Sequence, residues 1–144
     1  MSKVIKLISI TLILISSGCE QYLGGYIFDG IYFYENGNMT DAQGYTIRCS
    51  GDGGILEFNI ISEGISGIVP MDSDATWISQ GYFPDYPPDE EDKYESYDRQ
   101  KMYLQNVSLS ISPNNTGRKR KAEICFVTGS LFAHAAKVTV IQAK

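Results

Sequence analysis

One histidine, one tryptophan and three cysteines among 144 residues leave little room for nucleophilic or metal chemistry. Any Ser-His-Asp or Cys-His relay must run through His134 alone, in "SLFAHAAKV". Neither a Gly-rich nucleophile elbow nor a zinc-ligand spacing accompanies it, so His134 reads as an ordinary surface or edge-strand residue. Basic charge is scarce as well, with 12 Lys and Arg against 17 Asp and Glu. A nucleic-acid-binding domain is normally net basic, and this balance argues against one. Four of the bases stand together as Arg118-Lys119-Arg120-Lys121, after the turn-forming "SPNNTG". With so acidic a remainder they read as the charged shoulder of a β-hairpin, not as a grip for phosphate. Helical periodicity is also missing after residue 20.

The first residues, "MSKVIKLISITLILISSGCEQ", have a basic start at Lys3 and Lys6, an apolar stretch over Leu7 to Ile15, and small residues before Cys19. That is the layout of a secretory signal over residues 1–18, too short and wrongly flanked for a membrane span. Cys19 after Ser-Ser-Gly resembles the lipobox of bacterial lipoproteins, although Ser16 stands where that family prefers Leu. The resemblance implies lipidation of Cys19 and anchorage in the outer membrane. Each buried methylene of such an anchor contributes about 0.8 kcal/mol, so several acyl chains hold firmly. "CEQYLGG" has one acid after the cysteine, which leaves both the cell surface and the periplasmic face open. Loss of residues 1–18 leaves 126 residues with 10 basic and 17 acidic side chains, a formal charge of −7.

A chain of that length suits one domain. Period-2 alternation is its main signal. Tyr103, Gln105, Val107, Leu109 and Ile111 share one face of "YLQNVSLSI". Leu56, Phe58 and Ile60 oppose Glu57 and Asn59, Ala122, Ile124 and Phe126 oppose Glu123, Cys125 and Val127, and Val138 and Val140 point inward near the C-terminus. Such runs, separated by "SGDGG", "SPNNTG" and "TGS", predict an all-β antiparallel sandwich. Cys49 shares parity with Ile47 while Cys125 faces away from its apolar neighbours, so no disulfide is expected between them.

From Tyr45 to Ala143 the pattern resembles the BACON domain, an immunoglobulin-like module of Bacteroidota lipoproteins and carbohydrate-processing enzymes. Gly53-Gly54 matches its first hairpin, Trp77 its tryptophan, and Asn115-Thr116 its turn. Arg120 matches the arginine opening the next strand, Ala122, Ile124 and Phe126 its alternating segment, and Gln142 its closing glutamine. The resemblance implies an immunoglobulin-like fold over residues 45–144, a buried Trp77, and carbohydrate or glycoprotein binding or a spacer role. Two segments fall outside it: the anchor-proximal 19–44 and a long acidic, Tyr-rich insertion at about 80–102.

The insertion, "QGYFPDYPPDEEDKYESYDRQKM", combines Tyr82, Tyr86, Tyr94 and Tyr97 with Asp and Glu, and its prolines exclude helix and central strand. Tyrosine rings stack on pyranose C–H faces and carboxylates accept hydroxyl protons, so these four tyrosines are the candidate ligand-binding residues. The same composition also suits a solvated, mobile loop. Asp85, Asp89, Glu90, Glu91 and Asp92 lack the spacing of a calcium loop, and no metal or other cofactor is expected. Tyr26, Phe28, Tyr32, Phe33 and Tyr34 make residues 19–44 too aromatic for a tether and predict an extra strand or hairpin. Two functions follow as expectations for a non-enzymatic protein: glycan recognition through the insertion, or an envelope adaptor that docks a partner protein through its aromatic N-terminal stretch or a sheet edge.

Overall fold

The computed structural model describes residues 30–94, 102–129 and 134–144. The signal over residues 1–18, Cys19 and Tyr97 lie outside the described residues. Ten strands are described: β1 Tyr32–Glu35, β2 Asn38–Asp41, β3 Thr46–Cys49, β4 Gly54–Ser62, β5 Ile65–Pro70, β6 Ile78–Gln80, β7 Lys93–Tyr94, β8 Met102–Ile111, β9 Arg120–Thr128 and β10 His134–Gln142. One 3₁₀ turn spans Glu90–Asp92.

The strands form two sheets, β2-β1-β4-β8-β6 with β7 also on β8, and β3-β10-β9-β5. Within them, β4-β8-β6 and β5-β9-β10 repeat the B-E-D and C-F-G orders of immunoglobulin domains. The protein is therefore an all-β, immunoglobulin-like sandwich. Every described pairing is antiparallel except that of β3 with β10.

The alternating rows fill the space between the sheets. Ile60 from β4, Val107 and Leu109 from β8, Ile124 and Phe126 from β9, and Val138 and Val140 from β10 are completely buried in one cluster. Each such side chain stabilises the fold by roughly 1.5–3 kcal/mol relative to exposure. Gln105 is the polar member of the inward row of β8. Its Oε1 accepts a hydrogen bond from the Ile65 amide at 3.1 Å, while its buried Nε2 has no partner among the described residues. β9 is buried on both faces: Cys125 and Val127, on the row opposite the core, form a small second cluster with Ala135.

Residues 30–44 belong to the same sandwich. β1 and β2 pair through a two-residue turn at Asn36-Gly37, both with positive φ, as a type I′ hairpin demands. This is the hairpin that the aromatic content predicted. Its Phe33 enters the core, edge-on to Phe126 at 5.8 Å.

Two connections differ from the hairpins that the sequence suggested. Gly53-Gly54 joins β3 to β4, and "SPNNTG" joins β8 to β9; both pairs of strands lie in different sheets. These segments are arches across the sandwich, and local turn chemistry is the same whichever sheet the next strand joins.

Candidate functional site

The insertion begins as β6 leaves β8 and is pinned from its first residues. Gly81 N donates to Ser108 O at 2.9 Å, Ser108 N to Tyr82 O at 2.8 Å, and Tyr82 N to Ser108 Oγ at 2.7 Å. Phe83 then turns inward and stacks on Phe126, with ring centroids 6.3 Å apart. Further on, Tyr86 and Pro88 fold against the turn between β4 and β5. Gly64 there has φ of +131°, and a Cβ on it would stand 2.6 Å from Pro88 Cγ and 3.1 Å from Tyr86 Cε2. Glycine thus permits the close approach. The 3₁₀ turn and β7 return the chain to the start of β8, where Tyr94 is registered with Met102.

Tyr82, Tyr86 and Tyr94 are consequently held on a braced segment but do not all meet. Tyr82 and Tyr86 are 61% and 45% exposed. Tyr94 is half-buried and lies against Tyr34, ring centroids 5.9 Å apart. Tyr82 is bonded at Ser108 and Tyr94 is paired at Met102, six residues away along β8 or about 20 Å. Tyr103, at the far end of the same sequence stretch, is buried in β8. Asp85, Asp89, Glu90, Glu91 and Asp92, on the same segment, are all exposed. Among the described residues, no three metal-ligating side chains converge.

The basic run resolves into two parts. Arg118, Lys119 and Lys121 are exposed, as a solvated shoulder should be. Arg120 is structural: its guanidinium carbon sits 4.5 Å from the centroid of the Trp77 ring, and Trp77 is only 8% exposed. Its Nε donates to Gln142 Oε1 at 2.8 Å, and its Nη2 donates to the carbonyls of Ser112 and Pro113 at 3.0 and 3.1 Å. Gln142, fully buried, uses its Nε2 to bridge the Ser50 and Ser112 carbonyls at 3.1 and 2.9 Å. The neighbouring arch is built by Asn114, which donates to the Arg118 and Ala143 carbonyls at 2.7 and 2.8 Å and accepts from Thr116.

His134 is more than an ordinary edge-strand residue. Its Nδ1 lies 2.8 Å from Glu63 Oε1, which also accepts from Thr128 Oγ1 at 3.0 Å. The arrangement ties the turn after β4 to the start of β10. Thr128 also bonds the His134 backbone amide at 3.2 Å, whereas Nε2 has no hydrogen-bond partner among the described residues. A carboxylate-oriented imidazole is present, therefore, and among the described residues no hydroxyl stands on its other nitrogen.

Cys49 is a free thiol, so it does not pair with Cys125. Its Sγ–H points at the Ile141 carbonyl, 3.7 Å away. Burial pushes its pKa up from the ordinary 9.0, and the positive charge of Arg120 opposes the shift.

No protein-family model matches this chain, and no curated protein matches it. Among solved structures, a Bacteroides ovatus GH5 xyloglucanase in complex with a XXXG heptasaccharide aligns with a TM-score of 0.46 and 12% sequence identity. The alignment covers 79% of this chain and 19% of that one.

Proposed function

We propose that this protein is a non-enzymatic cell-envelope lipoprotein that recognises glycans, anchored in the outer membrane through Cys19, with a BACON-like sandwich as its recognition module. The observation that supports the site is the bracing of the insertion. Phe83 inserted against Phe126, together with the Tyr82–Ser108 hydrogen bonds, holds Tyr82 and Tyr86 open to solvent on a fixed support. A solvated linker would spend conformational entropy to order its rings on a ligand, and a braced one spends less. The open rings suit pyranose faces, and the exposed carboxylates of Asp85 and Asp89 on the same segment suit sugar hydroxyls. Tyr94 belongs to the same proposal as a more distant extension of the surface, and Tyr97, outside the described residues, is carried with it as a candidate from the sequence. Arg118, Lys119 and Lys121 have no part in it, and neither metal nor nucleic acid is required.

The test replaces Tyr82 and Tyr86 with Ala and compares retention on immobilised polysaccharides, with circular dichroism as the control for folding. Retention is lost by a folded double variant if the reading holds. Unchanged retention removes the loop from the site.

The second reading, an adaptor that docks an envelope protein, is favoured by a different feature, an edge of β4 that no strand among the described residues covers beyond the point where β1 leaves it.

A further inference from the structure

We propose that the notch between β1 and β4 receives a Lys or Arg side chain of a partner polypeptide, which adds as a strand along Gly54–Asn59 of β4. β1 is registered with β4 only at Tyr32·Ile61 and Phe33·Ile60, and then follows its own hairpin with β2. Among the described residues, the Gly54–Asn59 part of β4 thus has β8 on one side and no strand on the other. Alternate residues of an antiparallel strand aim their N–H and C=O groups to opposite sides, so part of this backbone is open to a new strand. Protein edges are usually blunted by Lys, Pro or a bulge. The segment "GILEFN" has none of these, keeps an unbroken register with β8, and exposes 67% of Ile55. The edge of β5 shows the contrast: there Gln80 Oε1 occupies the Ile68 amide at 3.3 Å.

Where the two strands part, a cavity of about 280 Å³ opens between Tyr34 and Glu35 on one side and Glu57, Phe58 and Asn59 on the other. Phe33 and Tyr45 also line it, their ring centroids 4.9 Å apart, and Phe33 is 5.3 Å from Phe58. Glu35 and Glu57 are exposed, and neither side chain has a partner among the described residues. Aromatic faces beside two unneutralised carboxylates favour a cation through ring quadrupole and charge together. An anionic or purely apolar group would desolvate those carboxylates without compensation. The adjoining edge identifies the source of the cation as a polypeptide, because strand addition supplies main-chain bonds and sends alternate side chains into such pockets. The Tyr82 and Tyr86 part of the glycan reading is separate, since both are carried by the insertion that follows β6, across β8 from this edge; only Tyr94, against Tyr34, comes near the notch.

The test titrates the full chain in detergent with the capped peptide Ac-Thr-Val-Arg-Val-Thr-NH2, and separately with the same peptide carrying Glu in place of Arg, followed by amide NMR and hydrogen exchange. The expected result is that only the Arg peptide shifts the Tyr45 and Phe58 amides and slows exchange within residues 54–59. Glu35→Gln with Glu57→Gln should weaken it about tenfold, as loss of charge pairs at an interface does. Equal response to both peptides, or binding without slowed exchange on β4, overturns the proposal. Residues 54–59 already protected along their free edge before peptide is added would also overturn it, because the edge would then be filled by the chain itself.

Discussion

Arg120 closes one end of the sandwich by lying over Trp77, with 4.5 Å between its guanidinium carbon and the ring centroid. The same guanidinium holds Gln142 and the Ser112 and Pro113 carbonyls, so β9, β10, the turn before β6 and the β8–β9 arch meet on one side chain. Removing it exposes the ring and leaves the buried Gln142 Oε1 without its donor. Arg120→Ala is predicted to lower unfolding free energy by about 2–3 kcal/mol. Arg120→Lys should recover less than half of that, since an ammonium cannot reproduce the planar fork. Urea denaturation checks both, and a loss under about 0.5 kcal/mol would show Arg120 to be an ordinary surface cation.

Asn114 is the next test of how that end is built. Asn114→Ala removes two donated bonds to carbonyls and the acceptor for Thr116, and should cost about 1–2 kcal/mol. Asn114→Asp keeps the acceptor and loses the donors, so its midpoint should fall between wild type and Ala. An Asp variant as stable as wild type would contradict the role given to the amide nitrogen.

Phe83 links the core to the proposed ligand surface. Its half-buried ring on Phe126 makes Phe83→Ala cost about 1–2 kcal/mol, less than a fully buried phenylalanine. The more telling readout is hydrogen exchange at Tyr82 and Ser108, which should speed up while β9 and β10 keep their protection. Unchanged exchange would mean that the loop is held by its backbone bonds alone.

Cys49 gives a pH dependence of known sign. Burial favours its neutral thiol, so the folded chain keeps that proton to higher pH than the unfolded chain does. The contribution is fully present below the ordinary thiol value of 9.0 and is lost as pH rises through the raised folded value. Denaturation midpoints between pH 7 and pH 10 should therefore fall more steeply for wild type than for Cys49→Ser. Parallel profiles would contradict this.

The long strands were legible because their apolar residues follow a period of two: the inward rows of β4, β8, β9 and β10 are the ones the sequence marks, although β9 is buried on its other face as well. β5 gave no comparable signal, since "ISGIVP" is short, carries a register shift near Gly67 and ends in proline. The burial of Trp77 and the alignment of Arg120 with a strand opening were readable, yet their stacking joins residues 43 positions apart and depends on how the two sheets close. His134 illustrates the same limit, because Glu63 reaches it only through the turn after β4. The insertion's composition fitted a mobile loop as well as a binding surface, and the placement of Phe83 shows that its first part is packed on the core. Nothing in the sequence marked the notch, which exists because β1 leaves β4 after two registered pairs.

The most direct measurement is a glycan-array and polysaccharide-retention screen of the full chain in detergent, run beside the Tyr82→Ala/Tyr86→Ala variant. Saturable binding to one glycan class by the wild type, absent from a folded variant, is the predicted result. A folded wild-type protein that retains no glycan, or a variant that binds as well as wild type, would contradict the account.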